Sequence, residues 1–348
     1  MVSSYNAYLK AVSTKITDNQ LIMNRNTSPK RPLTDEDIID AVLNTNFNQY
    51  PEEEEAKFIQ AYASYNDLDP QKVALANGSD EWLQKLVIQF GQGGVLALET
   101  DFFMYEEYTR QLEYPFYTIE CDEDFNYDLA DIIDGLDQFK PSLLFISNPQ
   151  NPTGKQFSGK YLQALADATE VRGIIFVLDE AYIEFGDDYK RPDNENVVIV
   201  RTLSKIYGSA GLRLGIAIGK GKVFKKLNQI NHPYPVNSIS LNIATKLFEQ
   251  FDELDKWTTY QKNLKDQLVL AFEAVADVIT LVPSYANFVF IYGDKVPSLV
   301  SYLSDKGYVG RTYEGEKLAK AVRYSIVDKE HYEQLAIDIK EWRSHIED

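Results

Sequence analysis

One lysine of the sequence, Lys205, stands where an amine could do chemistry. It follows the apolar run "VVIV" (197–200), and hydroxyl groups, glycines and an arginine surround it in the chain. A lysine close to the end of a buried strand is costly unless its amine is used or paired. Thr202, Ser204 and Arg213 offer hydrogen-bond donors of the kind that hold a phosphate, and glycines let backbone approach a ligand closely. The segment therefore favours a reactive amine beside a phosphate cradle.

An amine next to such a cradle predicts a phosphorylated aldehyde held as a Schiff base, which means pyridoxal phosphate (PLP). The PLP ring acts as an electron sink only if a carboxylate keeps its pyridinium nitrogen protonated. Asp179 meets that demand because it ends the apolar run "GIIFVLD", where a buried carboxylate requires a partner. Tyr182 could donate a hydrogen bond to the phenolic oxygen of the ring. Taken alone, Asp179 would be assigned as a solvated residue that begins a loop.

Further segments supply groups that fit the same cofactor. The sequence "SNPQNPTG" contains two Asn-Pro pairs, which enforce extended or turn backbone and present the Asn151 amide rigidly toward the same phenolic oxygen. The sequence "NGSDEWL" opens a helix with Ser79 and Asp80 at its start, which is either an anion site or an ordinary helix cap. Phe102 or Phe103 could stack on a planar ring, although the apolar core is the usual place for an aromatic side chain.

The elements that must position these groups are predicted to form a mainly parallel sheet. Short apolar runs alternate with amphipathic segments, and the runs are "KVALA", "GVLALE", "SLLFIS", "IIFVLDEAY", "VVIVRTLS" and "GIAIG". This pattern is typical of strands that helices cover on both faces. Ligands of such sheets bind beyond the carboxyl ends of the strands. Because most of these runs lead directly into a polar cluster, we expect their ends to aim polar groups at one crevice.

The pattern changes in the C-terminal third of the chain. Long helical stretches such as 238–276 and 328–347 enclose the strand-like pieces "ANFVFIY" and "AVRYSIV". We therefore expect an α/β architecture with a large domain over 36–236 and a smaller α+β domain over 237–348. Residues 1–35 show no clear period and are expected to form an arm that packs on either domain.

Composition limits the classes of function. The 348 residues carry a formal net charge of -18, which argues against a nucleic acid or an anionic membrane as partner. Cys121 is the only cysteine, so an internal disulfide is impossible. The chain start lacks a secretory pattern, and no apolar run reaches the ~18 residues needed to span a bilayer, so we expect a cytoplasmic protein. None of the 3 histidines has metal-motif spacing, and no metal is expected.

The order of these motifs resembles the fold-type I PLP-dependent aminotransferases, and most closely the histidinol-phosphate aminotransferase family. The matching series is N-G-S-D-E, an aromatic loop, N-P-x-N-P-T-G, D-E-A-Y, and T-L-S-K followed by A-G-L-R-x-G. The resemblance is strong over about 45–220 and weaker in the remainder. It implies the PLP-dependent transferase fold of type I, with a mainly parallel central sheet in a large domain and a smaller α+β domain.

The resemblance also implies a role for each cofactor-site residue. Lys205 would bind the cofactor covalently and move a proton during the reaction. Asp179 would be the partner of the pyridine nitrogen, and Asn151 and Tyr182 would be the partners of the phenolate. Phe102 would occupy the ring-stacking place, where the family usually has tyrosine. The residues around the cofactor phosphate would be Ser79, Asp80, Thr202, Ser204 and Arg213.

Other positions are similar to residues that serve the dimer and the substrate. Tyr50, in "QYPE", resembles the tyrosine that crosses a dimer interface to the neighbour's cofactor phosphate, which implies a homodimer with shared active sites. Arg323, in "AVRYSI", matches the arginine that binds the α-carboxylate, for which the planar fork of arginine is suited. Arg311 fits the substrate-side arginine of the family, and Asn24 is likewise expected at the substrate.

One segment departs from the family pattern. Where the family tends to have N-E-N-P followed by an aromatic residue and glycine, this chain reads "MNRNTSPKR". Arg25 replaces the acid and the aromatic residue is missing, so the cover over the substrate is changed. Arg25, Lys30, Arg31 and Arg311 are all candidates to bind a substrate phosphate, and the sequence does not rank them.

The sequence thus predicts transamination between an amino donor and a 2-oxo acid, with histidinol phosphate and 2-oxoglutarate, in histidine biosynthesis, as the expected pair. The alternatives are an aminotransferase for aromatic or other amino acids, a PLP decarboxylase of a phosphorylated amino acid, and a PLP-binding regulatory domain. Retention of Lys205, Asp179 and Arg323 argues against a decayed enzyme. A nucleotide-binding dehydrogenase would require G-x-G-x-x-G between a strand and a helix, which the chain lacks.

Overall fold

The computed structural model describes residues 20–346, so residues 1–19 of the predicted arm lie outside the described residues. The strands are β1 (Leu21–Ile22), β2 (Val73–Asn77), β3 (Val95–Leu98), β4 (Phe116–Ile119), β5 (Leu143–Ser147), β6 (Ile175–Asp179), β7 (Val197–Thr202), β8 (Leu214–Ile218), β9 (Thr280–Val282), β10 (Phe288–Tyr292), β11 (Tyr308–Val309), β12 (Arg311–Thr312) and β13 (Ala321–Ser325). The helices are α1 (Asp35–Leu43), α2 (Glu54–Tyr65), α3 (Ser79–Phe90), α4 (Met104–Gln111), α5 (Leu129–Phe139), α6 (Gly159–Glu170), α7 (Gly221–Asn228), α8 (Ser238–Glu249), α9 (Phe251–Glu273), α10 (Val296–Asp305) and α11 (Tyr332–His345).

The large sheet has 7 strands in the order β2-β8-β7-β6-β5-β3-β4. Strand β8 runs antiparallel to both of its neighbours, and the remaining strands are parallel. The central strands β5, β7 and β8 are buried along their whole length, which explains their continuous apolar sequences. The expectation of a mainly parallel sheet with its strands between helices is confirmed.

The edge strand β4 was not among the predicted strands. Its four residues, "FYTI", are mostly half-buried or exposed, and only Ile119 is buried. A strand this short, with one covered face at the edge of a sheet, lacks the apolar run that marks the central strands. Its pairing with β3 is what reveals it.

A second sheet of 4 antiparallel strands, in the order β12-β13-β10-β9, lies in the C-terminal part of the chain. The end of the predicted arm joins this part, because β1 pairs in parallel with β11 and the Ser325 amide donates to the Met23 carbonyl at 2.7 Å. The two larger sheets fall on opposite sides of the boundary predicted near residue 236, although the domain limits themselves stay a prediction.

The long helix expected over 238–276 is two helices. Helix α8 ends at Glu249 and α9 begins at Phe251, because Gln250 between them has φ -100° and ψ 62°, outside the helical region. Neither glycine nor proline marks this break, so the apolar period alone could not show it. No helix within residues 20–346 is both long and apolar enough to cross a bilayer.

Helix α3 positions two of the residues predicted around the cofactor phosphate, Ser79 and Asp80. It buries Trp82, Leu83, Leu86 and Val87 against the large sheet, and each such side chain contributes roughly 1.5–3 kcal/mol by burial. Gly78 precedes it with φ +90°, a conformation that side-chain-bearing residues rarely adopt. The chain therefore turns sharply from the end of β2 into the start of α3.

Candidate active site

The ends of the central strands bring the sequence-predicted residues to one edge of the sheet. Ser147 at the end of β5 is in register with Asp179 at the end of β6, and Asp179 is in register with Val200 of β7. Lys205 lies in the turn that follows β7. Because these strands are parallel, their polar ends face the same crevice, as the sequence predicts.

Asp179 is a buried carboxylate held from two sides. The Tyr105 hydroxyl donates to its Oδ2 at 2.9 Å, and the Ala181 amide donates to its Oδ1 at 3.1 Å. Burial raises the pKa of Asp179 to about 7, although the hydrogen bond from Tyr105 opposes the rise. A carboxylate in this state gains strongly from a cationic partner, and a pyridinium nitrogen is such a partner.

Tyr182 lies between Lys205 and the arm. The Lys205 Nζ is 5.4 Å from the centroid of the Tyr182 ring, and the ring packs edge-on against Phe288. The Asn26 amide donates to the Tyr182 hydroxyl at 2.9 Å. Because that bond uses the hydroxyl oxygen as an acceptor, the hydroxyl hydrogen is left to donate to another group.

Asn151 and Arg323 contact each other directly. The guanidinium of Arg323 donates to the Asn151 side-chain carbonyl, and it also donates to the Asn24 backbone carbonyl at 3.2 Å. Asn151 belongs to the turn in which both Asn-Pro peptide bonds, at Pro149 and Pro152, are cis. Since the Asn151 carbonyl accepts from Arg323, its amide nitrogen remains a donor for the crevice.

Arg323 is buried, with 8% of its surface exposed, and its Nε has no hydrogen-bond partner among the described residues. Arg311 of β12 is the cross-strand partner of Arg323 in β13, so the two side chains leave the sheet on the same face. Like charges directly opposite each other are unfavourable unless an anion compensates them. Tyr313 lies near both arginines, and its buried hydroxyl is likewise without a partner in the described part of the chain.

The phosphate-side residues lie at the ends of three adjacent strands. Thr202 of β7 is in register with Gly215 of β8, and Gly215 is in register with Ala76 of β2. A Cβ atom on Gly215 would lie 2.1 Å from the carbonyl carbon of Gly78, so only glycine allows this approach. The sequence predicted that a glycine here lets backbone approach a ligand. In the structure, Gly215 packs against the backbone at the start of α3.

Arg213 closes this end of the crevice. It has φ +53°, which aims its side chain back at the start of α3, where it pairs with Asp80 at 3.1 Å. The Thr202 hydroxyl donates to the Ser204 hydroxyl at 2.9 Å, and both residues are buried. Ser79 is the first residue of α3, where backbone N–H groups without partners in the helix attract an anion.

Two residues that the sequence predicts at the cofactor site, Phe102 and Tyr50, make aromatic contacts within this chain. Phe102 packs edge-on against Tyr105 at 5.6 Å between ring centroids, and its own ring is half-buried. Tyr50 is 75% exposed and stacks on Tyr234 at 4.7 Å between centroids. Within one chain, Phe102 therefore contacts Tyr105, which donates to Asp179, whereas Tyr50 lies on the surface.

The structure also sorts the four basic residues proposed for a substrate phosphate. Lys30 pairs with Asp328 at 2.6 Å, and Arg31 pairs with Asp35. Both cations are thus already engaged with carboxylates. Arg25 is exposed on the arm, and Arg311 lies on the face that it shares with Arg323.

Sequence reasoning missed Asn26 and Tyr105. Asn26 lies within the quoted segment "MNRNTSPKR", but its hydrogen bond to Tyr182 joins residues 156 positions apart. The left-handed backbone at Asn26, with φ +54°, is typical of asparagine and was the available signal. The role of Tyr105 had no signal, because a tyrosine beside an apolar run reads as core.

Comparison with known proteins agrees with this geometry. The family model described as "Aminotransferase class I and II" matches residues 19–339. The chain belongs to the class I and II aminotransferases. Members of this family depend on PLP, so the chain is a PLP-dependent aminotransferase that uses an amino donor and a 2-oxo acid, as the motif series predicts.

Two similar proteins are both named histidinol-phosphate aminotransferase. The chain is 31% identical over 285 residues to the histidinol-phosphate aminotransferase of Caldanaerobacter subterraneus subsp. tengcongensis, with 80% of each chain covered. It is 30% identical to that of Hydrogenobaculum sp., with 96% of each chain covered. These matches confirm the family resemblance that the motifs carry.

Solved structures confirm the fold-type I architecture. Histidinol-phosphate aminotransferase from Sinorhizobium meliloti, in complex with pyridoxal-5'-phosphate, superposes with a TM-score of 0.82 at 22% identity, covering 99% of this chain and 96% of that chain. The enzyme from Clostridium acetobutylicum gives a TM-score of 0.82 at 19% identity, covering 93% of this chain and 99% of that one.

The residues of the crevice fit PLP. A buried carboxylate of raised pKa, Asp179, suits the pyridinium nitrogen, and the donors of Asn151 and Tyr182 suit a phenolate oxygen. At the other end, Arg213 and the start of α3 suit a phosphate. The glycine at position 215 keeps this end open to backbone approach.

Proposed function

We propose that this chain transfers the amino group of L-histidinol phosphate to 2-oxoglutarate in histidine biosynthesis. The observation that carries the substrate class is the cross-strand pairing of Arg311 with Arg323. Two arginines on one face suit substrates that each present an anionic group beyond the amino or keto carbon. Histidinol phosphate offers a phosphate, and 2-oxoglutarate offers two carboxylates. The names of the relatives support this pair.

PLP would supply an aldehyde carbon able to carry an amino group and a ring that withdraws electrons from the reacting bonds. Asp179 holds a proton at the ring nitrogen, and its burial makes that charge pair strong. Asn151 and Tyr182 orient the ring by donating to its phenolic oxygen. Lys205 would hold the cofactor through its Nζ, and the same amine would serve as the proton carrier.

The buried guanidinium group of Arg323 would position both substrates. Its contact with Asn151 ties the substrate carboxylate site to the cofactor-orienting amide. Within residues 20–346 the Arg323 Nε and the Tyr313 hydroxyl have no hydrogen-bond partner, and an anionic substrate group would satisfy both donors. The contact with the Asn24 carbonyl places the arm over the same site.

Comparison of donors tests the proposal. We expect turnover of histidinol phosphate with 2-oxoglutarate to exceed turnover of phenylalanine by a large factor in kcat/KM, and phosphothreonine to give no carbon dioxide. Preference for phenylalanine would support the aromatic alternative, and release of carbon dioxide from phosphothreonine would support the decarboxylase. A chain that bound PLP without turning over any donor would support the regulatory alternative.

We also propose a homodimer with shared active sites. Leu43, Phe47 and Tyr50, three large apolar side chains within eight positions of the chain, are 79%, 75% and 75% exposed, as is typical of residues at a protein interface. A second copy that covered these side chains would bring Tyr50 to the neighbour's cofactor phosphate. Sedimentation of the Phe47→Asp variant should show a monomer with reduced PLP affinity, whereas an unchanged sedimentation coefficient would contradict the assignment of this surface.

The remaining proposals concern organisation and location. A large domain over 36–236 and a small domain over 237–348, joined by the arm, is supported by the separate sheets on each side of that boundary. A cytoplasmic location is supported by the single cysteine, since one thiol cannot form an internal disulfide.

A further inference from the structure

A second, half-buried acid, Asp101, anchors the loop that carries Phe102. Its Oδ1 accepts a hydrogen bond from the Phe102 amide at 2.7 Å and another from the Ser147 hydroxyl. Its Oδ2 accepts from the Ser147 amide at 3.0 Å. One carboxylate thus accepts from three donors and fixes the loop after β3 to the end of β5. A neutral side chain at this position could not accept from all three.

Ser147 extends this anchor to the turn with the cis prolines. Its hydroxyl donates to Asp101 and accepts from the Asn151 backbone amide at 3.1 Å. Ser147 is 2% exposed, so water does not compete for these bonds. The position of Asn151, whose amide faces the crevice, therefore depends on Asp101 through one hydroxyl group.

Tyr105 connects the same loop to Asp179. Its hydroxyl is the only side-chain donor to Asp179 within residues 20–346. Its ring stacks on Phe145 at 4.6 Å and 7°, and Phe102 meets it edge-on at 5.6 Å and 87°. At 1% exposure the ring has no freedom to leave this place. Tyr105 thus fixes the direction of the Asp179 carboxylate and the plane of Phe102 together.

We propose that Asp101, Ser147 and Tyr105 form a positioning set behind the cofactor site. The set orients three side chains of the cofactor site. Phe102 would stack on the PLP ring, Asn151 would donate to its phenolic oxygen, and Asp179 would pair with its nitrogen. This inference rests on the proposed roles of those three residues. Members of the set act through their contacts with the cofactor-facing residues, so we assign them as positioning residues.

The set is tested by titrating the cofactor-free protein with PLP and recording the spectrum of the complex against pH. Tyr105→Phe keeps the stacked ring and removes the hydroxyl that donates to Asp179. Asp101→Asn keeps the size of the side chain, but its new amide nitrogen would face a group that donates to Asp101. Losing a hydrogen bond to a charged group should weaken PLP affinity by about 10- to 100-fold in each variant. Both variants should also shift the pH at which the cofactor absorbance changes.

A matched control is Tyr114→Phe, which removes a hydroxyl from a half-buried tyrosine packed against the same hydrophobic cluster as Tyr105. It should keep the wild-type affinity and spectrum. Unchanged affinity and an unchanged pH profile in Tyr105→Phe would overturn the proposal, even if its thermal stability fell. An effect of Tyr105→Phe without an effect of Asp101→Asn would also overturn the set as defined. The titration needs no amino donor, so failure of histidinol phosphate as a substrate is a separate result.

Discussion

The burial of Asp179 should cost the cofactor-free protein stability in a pH-dependent way. Its pKa is raised from 3.8 to about 7 in the folded chain because burial penalises the charged form. At 1.36 kcal/mol for each pKa unit, this difference corresponds to about 4 kcal/mol. The Asp179→Asn variant has the same size and does not ionise, so it should escape this cost.

The direction of the effect follows from proton binding. Below about pH 4 the carboxyl is protonated in the folded and unfolded chains, and it adds no pH dependence. Between about pH 4 and pH 7 the unfolded chain releases the proton while the folded chain keeps it, so wild-type stability falls as the pH rises. Above about pH 7 both forms are ionised and the cost is complete.

Urea unfolding of the cofactor-free wild type and of Asp179→Asn, followed by circular dichroism from pH 4.5 to pH 8.5, measures the effect. The free energy of unfolding of the variant minus that of the wild type should increase by about 3 kcal/mol across this range and level off above about pH 7. Asp101 is present in both proteins, and its charge contributes to the raised pKa of Asp179 in the wild type.

An exposed carboxylate provides the control. Asp137 pairs with Arg172 through two contacts of 2.8 Å, and the hydrogen bonds from Arg172 lower its pKa. Because both its folded and its unfolded pKa lie below pH 4.5, the difference in unfolding free energy between Asp137→Asn and wild type should stay constant from pH 4.5 to pH 8.5. Parallel pH profiles for wild type and Asp179→Asn would refute the reasoning, because they would mean that the Asp179 carboxyl has an ordinary pKa.

Two further predictions concern the substrate and phosphate ends of the site. Arg323→Gln should raise KM for 2-oxoglutarate by about 10- to 100-fold, since a fork that donates to a carboxylate is lost, and steady-state kinetics measures it. Arg323→Lys should restore little of this loss, and full rescue would argue against bidentate recognition. Gly215→Ala should displace the start of α3, because the new Cβ would lie 2.3 Å from the Ser79 amide nitrogen. Its PLP affinity should fall at least about tenfold in a fluorescence titration, and wild-type affinity would place the phosphate elsewhere.

The sequence predicted the parts of the molecule that depend on local pattern. Continuous apolar runs such as β5 and β7 identify buried parallel strands, and the motif order identifies the family and its cofactor. Strand β4 escaped because a half-covered edge strand has no such run. The break at Gln250 escaped because a non-helical backbone there needs neither glycine nor proline.

A site residue could be predicted where its type seldom occurs at such a position for another reason. It could not be predicted where its type is common in cores or turns. A lysine or aspartate at the end of a buried strand is costly, so Lys205 and Asp179 stood out. Tyr105 and Asn26 have ordinary roles as core and turn residues, and only contacts over 74 and 156 positions connect them to the site. Long-range contacts of this kind cannot be inferred from spacing in one sequence.

The most direct test of the account is the identity of the lysine that holds the cofactor. Holoenzyme treated with sodium borohydride, digested and mapped by mass spectrometry should carry a reduced phosphopyridoxyl group on Lys205. The same treatment of Lys205→Arg should leave every peptide unmodified. A label on any other lysine of the wild type, or none on Lys205, would contradict the claim that the turn after β7 delivers the reactive amine.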